Sequence, residues 1–191
     1  MDINWYPGHM LKTKKQIIED LKLIDIVIEI LDARIPISSK NPDIEKIISN
    51  KKKIVILNKS DLAENNETLK WVDFYKRNNI PAIIADSNLG KGIKETLNKI
   101  EELMQQDMQK LADKGRVKKN IRIMIVGIPN VGKSSFINRL CNKKLAVVGN
   151  RPGVTKQKQW VRIANNIELL DTPGVLWPKF EDKKVALKRS S

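Results

Sequence analysis

The chain has 191 residues, room for one domain with a substantial core and too few for two comfortable ones. Lysine and arginine outnumber aspartate and glutamate by 36 to 22, a net charge of +14 that comes in clusters and points to a polyanionic partner. No apolar run approaches the length of a bilayer span, the N-terminus lacks a signal-peptide core, and the single Cys141 has no partner for a disulfide or metal site, so a cytoplasmic protein with no membrane partner is expected.

In chain order, the first segment is the aromatic Trp5-Tyr6-Pro7-Gly8-His9-Met10, followed by a basic cluster of Lys12, Lys14 and Lys15. An apolar run over 24–31 reads as a strand, and the basic 51–53 leads into a second run at 54–57. Directly after it stands Asn58-Lys59-Ser60-Asp61. A carboxylate at Asp61 can accept from the N1 and N2 donors of guanine, which adenine lacks, while the Lys59 stem lies over the base. The alternative is a helix cap at Ser60 or Asp61.

A third run, 82–85, precedes Asp86-Ser87-Asn88-Leu89-Gly90, where Ser87 either supports the base through its backbone or is a plain turn residue. Apolar residues from Ile93 to Leu111 recur every three or four positions, which predicts an amphipathic helix stopped by Gly115. The charged, unpatterned 113–120 then bridges two halves of the domain.

The run 121–126 opens into Gly127-Ile128-Pro129-Asn130-Val131-Gly132-Lys133-Ser134, with a helical stretch from Ser135 to Leu140 behind it. That strand–loop–helix context suits a phosphate-binding loop: Gly127 and Gly132 allow close backbone approach, and N–H groups of Asn130, Val131, Gly132 and Ser135 face phosphate oxygens. Lys133 reaches the outer phosphates catalytically and Ser134 holds Mg²⁺. Asn130 is the candidate ligand for a monovalent cation near the β and γ phosphates. Thr155, in Arg151-Pro152-Gly153-Val154-Thr155, is the candidate second hydroxyl on Mg²⁺, with a catalytic part in stabilising charge.

Runs 160–163 and 167–170 are too close for a crossover helix and predict a hairpin. Asp171-Thr172-Pro173-Gly174 follows; Asp171 holds Mg²⁺ through water and the Gly174 N–H meets the terminal phosphate, or the segment is a Pro-Gly turn. The next residue is Val175, where many GTPases place the glutamine that orients water, so water positioning falls to Asn130 with its cation or to His9. A lone histidine is otherwise a packing or surface residue. The fold class is α/β: a mostly parallel six-stranded sheet with helices on both faces. The base loop precedes the phosphate loop, the reverse of the usual order, which reads as a circularly permuted P-loop GTPase domain over 1–178, with an N-terminal extension at 1–12 and a basic tail at 179–191.

These motifs, with Trp5-Tyr6-Pro7-Gly8-His9-Met10 and Asp32-Ala33-Arg34-Ile35-Pro36, resemble the bacterial ribosome biogenesis GTPase A family as far as about Phe180. The resemblance implies a Mg²⁺-dependent GTPase that binds the assembling large ribosomal subunit and its RNA. It also implies weak intrinsic hydrolysis, K⁺ dependence at the position of Asn130 and a catalytic role at that of His9. Family members continue into a C-terminal helical domain, whereas this sequence stops at Ser191, so most of that domain is expected to be lacking. A monomer is expected. The alternatives are a nucleotide-dependent RNA-binding or ribosome-binding switch with negligible turnover, and a P-loop ATPase, which Asp61 disfavours.

Overall fold

Isoleucine and valine crowd the chain into extended backbone wherever both sides of a strand can be buried. The computed structural model describes residues 8–116, 119–141, 147–148 and 159–171. Within them lie β1 (Ile26–Asp32), β2 (Lys52–Asn58), β3 (Ala82–Ile84), β4 (Ile121–Val126), β5 (Val147–Val148), β6 (Gln159–Ala164) and β7 (Ile167–Asp171). They form one sheet in the order β3-β2-β1-β4-β7-β6-β5. The six expected strands all form, and the two-residue β5 extends the sheet to seven. A strand that short leaves no run for periodicity to detect.

Pairing is parallel from β3 across to β7 and antiparallel in β7-β6-β5. The hairpin turn is Asn165-Asn166, with a register shift between Arg162 and Ala164. The register places Asp32 opposite Asn58 at the carboxyl ends of β1 and β2.

Alternation along the strands sends side chains to two faces. On one, Ile28, Ile56 and Ile125 meet Ile100 and Met104 of α4 (Ile93–Asp113) and Phe136 and Leu140 of α5 (Lys133–Leu140). On the other, Val27 and Met124 pack with Ile17 and Leu21 of α1 (Gly8–Leu21) and Ile44 and Ile48 of α2 (Pro42–Ile48). Leu31, Val55 and Leu57 on that face cover Tyr75 of α3 (Asn65–Arg77). Asn41 caps α2, its Oδ1 accepting from Asp43 N–H at 2.9 Å.

Helix α4 ends at Gly115, whose φ of +67° suits a residue without Cβ and whose N–H donates to Ala112 O at 2.9 Å. The chain is then tied back to β1, because the Asp25 carboxylate accepts from Arg122 N–H at 2.8 Å and Lys119 Nζ at 3.2 Å. Strands β2 and β3 lie to one side of β1, and β4 and β7 to the other. The crevice at the carboxyl ends of β1 and β4 is therefore a topological switch point, where open α/β sheets bind ligands. Among the described residues no helix is long and apolar enough to cross a membrane.

Candidate functional site

Three loops meet at that edge, and one buried amide joins them. Asn58, only 1% exposed, donates from Nδ2 to Val131 O at 2.8 Å. Its Oδ1 accepts from the Ser87 N–H at 3.1 Å and the Ser87 hydroxyl at 2.7 Å. A buried amide satisfied on both sides fixes its neighbours, since misplacing any of them strands a polar atom. Ser87 thus supports the loop after β2, while Asp86 Oδ1 accepts from Asn88 and Leu89 N–H and closes the turn.

Lys59 turns the chain with φ of +60°, and its ammonium donates to Asn130 O in the loop after β4 while lying 3.6 Å from the Asp32 carboxylate. A single turn of 3-10 helix, Ser60–Leu62, follows. The capping position of that turn is Lys59, which makes no side-chain cap, so the cap alternative for Ser60 or Asp61 does not form. Asp61 is exposed at the mouth, and the Arg34 guanidinium lies within electrostatic reach of it.

The loop after β4 is built around two anchors. Val131 is buried in the core, and Gly132 has φ of +87° with a would-be Cβ lying against Asn58 Nδ2. Any side chain at Gly132 would therefore displace the amide that joins the loops. Lys133 is buried, donates to Gly127 O at 2.8 Å, and has its ammonium pushed down to about 8 by burial. Ser134 and Ser135 are exposed in the first turn of α5, and Asn130 is exposed with φ of +70°. First-turn N–H groups have no intrahelical acceptor, so this junction favours an anion.

Two groups escaped the sequence reading as parts of the site. Asp32 is buried, and Arg34 grips it with Nε at 3.0 Å and Nη2 at 2.7 Å, which holds its carboxyl below the usual range despite the opposing effect of burial. Arg139, at the far end of α5, donates to Ser87 O at 3.1 Å and to Asn88 O, tying the helix to the turn after β3. Asp32 and Arg34 stand two residues apart in Asp32-Ala33-Arg34-Ile35-Pro36, a motif that marked the resemblance without a role in the site, whereas Arg139 depends on a turn that only the fold lays against it.

Thr155 and Gly174 lie outside the described residues, as do the side chains of His9 and Asp171. Backbone register nonetheless carries Asp171 two positions beyond Leu169, which pairs with Ile123, and so to the edge where the loop after β4 begins. Among the described residues no group of three or more His, Cys, Asp or Glu converges on a point. The available donors, a serine hydroxyl beside a phosphate-favouring helix end with Asp171 on the adjoining strand, fit Mg²⁺, which keeps several waters and shares substrate phosphates.

Comparison with known proteins places the chain among GTPases. A family model described as 50S ribosome-binding GTPase matches residues 122–191. Ribosome biogenesis GTPase A of Priestia megaterium is 54% identical over 98% of this chain, and that of Bacillus pumilus is 47% identical over 98%. The chain spans 66% of the first and 67% of the second. The crystal structure of GNP-bound YlqF from Thermotoga maritima superposes with a TM-score of 0.63 at 32% identity, over 93% of this chain and 64% of that one.

Proposed function

Because the chain belongs to the ribosome biogenesis GTPase A family, we propose that it binds and hydrolyses GTP as a cytoplasmic, monomeric assembly factor for the large ribosomal subunit. The observation that carries this reading is the direct contact between Asn58-Lys59 and the loop 127–134, through Val131 O and Asn130 O. That contact sets a base-reading loop and a phosphate cradle at one sheet edge although the first precedes the second in the chain, which supports a circular permutation. The large subunit and its RNA as partners rest on the relatives' names, the 50S description of the family model and the positive charge.

In this reading Asp61 accepts from the guanine edge, the Lys59 stem covers the base, and Asn58 and Ser87 hold both in register. The N–H groups of Asn130, Val131, Gly132 and Ser135, together with Gly174, contact phosphates. The Lys133 ammonium leaves Gly127 O for phosphate oxygens, exchanging a neutral acceptor for charged ones. Ser134, Thr155 and Asp171 would hold Mg²⁺ and Asn130 would hold K⁺, cations that spread charge developing on the β and γ oxygens. With Val175 where a water-orienting glutamine often stands, His9 and the Asn130 cation site are left to position the attacking water.

Val175 also favours a second reading, a nucleotide-dependent ribosome-binding switch with negligible turnover. Multiple-turnover phosphate release from GTP in potassium buffer, with and without purified large subunits, separates the two. Slow release, accelerated by the subunits and lowered when sodium replaces potassium, is the expected result. Binding without release would establish the switch, and equal competition by ATP would overturn guanine recognition.

A further inference from the structure

The ion pair Asp32–Arg34 stands beside the base loop without belonging to it. Asp32 is 4% exposed, and a carboxylate that deep needs full pairing. It has it: Arg34 binds it through two nitrogens and the Arg34 N–H donates to Oδ1 at 3.0 Å, while the Asp32 backbone N–H is fixed separately by donating to Ser39 Oγ at 3.0 Å. Its Oδ2 also faces the Lys59 ammonium at 3.6 Å. That ammonium is therefore suspended between a carboxylate at the end of β1 and the Asn130 carbonyl of the phosphate loop. Nearly half of the Arg34 side chain is exposed.

We propose that Asp32 and Arg34 are positioning residues for guanine nucleotide recognition: Asp32 aims Lys59 across the crevice, and Arg34 orients the Asp32 carboxylate while keeping it from drawing Lys59 away from the phosphate loop. The proposal rests on the reading of 58–61 as the base loop. The bidentate fork is what the role requires, since it holds the carboxylate in one plane and leaves a single oxygen turned to Lys59; a lysine at position 34 could not do this.

The test is titration of the 191-residue chain with a fluorescent GDP analogue at fixed Mg²⁺, across Asp32→Asn, Lys59→Met and the double variant. Asp32→Asn is expected to weaken binding about tenfold, and the double variant to bind no worse than Lys59→Met alone, because the first residue acts through the second. Losses that multiply in the double variant would make Asp32 a structural residue and overturn the proposal. The half-exposed Arg34 supplies an arm less dependent on folding: Arg34→Ala is expected to weaken GDP binding about fivefold, with Arg34→Lys recovering only part. Full recovery by lysine would reduce Arg34 to a point charge and remove the orienting role. If the unaltered chain bound no guanine nucleotide at all, the base-loop reading would fail and this inference with it; binding with multiplying losses would remove the inference alone.

Discussion

Among the described residues, Lys133 holds its buried ammonium against one neutral carbonyl, Gly127 O. The drop from 10.5 to about 8 corresponds to roughly 3 kcal/mol of lost preference for the charged form, against about 1 kcal/mol from the hydrogen bond. The nucleotide-free chain therefore carries this lysine at a net cost that phosphate binding would relieve. Lys133→Met is expected to raise the nucleotide-free stability by about 1–2 kcal/mol in denaturant titration, while GTP affinity falls about a hundredfold. Asp32 acts in the opposite sense. Its folded carboxyl lies below the ordinary 3.8, first because of the Arg34 fork, so its contribution is present above the unfolded value and lost as pH falls through the lower folded one. Arg34→Ala should therefore start acid unfolding at a higher pH, followed by circular dichroism between pH 6 and pH 2; an unmoved transition would show that the fork does not set the Asp32 carboxyl.

At the scale of elements, the strands were legible because each is a dense aliphatic run, and α4 because its apolar stripe lasts from Ile93 to Leu111. The loops 58–61 and 127–134 were legible because their residue types carry chemistry at fixed spacing. What stayed hidden were contacts made across the sheet. Asn58 stands in the base-loop motif, and its buried amide is engaged with Val131 and Ser87. Arg139 looked like an ordinary charged helix residue until the fold laid it against the turn after β3. That latch joins the helix behind the phosphate loop to the turn that props the base loop, so its removal should act on the turn before it acts on the core. Arg139→Ala is expected to speed amide exchange over 86–90 about tenfold, leaving β1, β2 and β4 protected; uniform acceleration would mean a global loss of stability instead.

At the scale of the molecule, net charge alone overstates how much of the basic surface is open to a polyanion. The cluster 51–53 is turned to internal use: Lys51 Nζ donates to Ile24 O at 2.9 Å, Lys52 Nζ pairs with Asp107 at 2.8 Å, and Lys53 Nζ lies 3.4 Å from both Glu29 and Glu45. Lys15 and Lys22, on the α1 side, are exposed. Binding to large subunits is expected to weaken with salt, and the slope of log affinity against log salt should flatten by about one for each of Lys15→Ala and Lys22→Ala that loses a phosphate contact. Lys52→Ala should leave the slope unchanged. A slope indifferent to all three would place the polyanion contact elsewhere on the chain.

Strand β1 sits between β2 and β4, yet β4 is separated from β3 by all of α4. During synthesis from the N-terminus, β1, β2 and β3 can pair as soon as they emerge, while the far side of β1 waits for 121–126. In that interval Ile26–Asp32, seven residues with an unbroken apolar run on either side of Glu29, a terminal Asp32 and no proline, presents a bare row of backbone donors and acceptors, the kind of edge that recruits foreign strands. The arrangement that brings both halves of the crevice together therefore also creates a window of vulnerability in the nascent chain, and it closes only when the strand leading into the phosphate loop arrives.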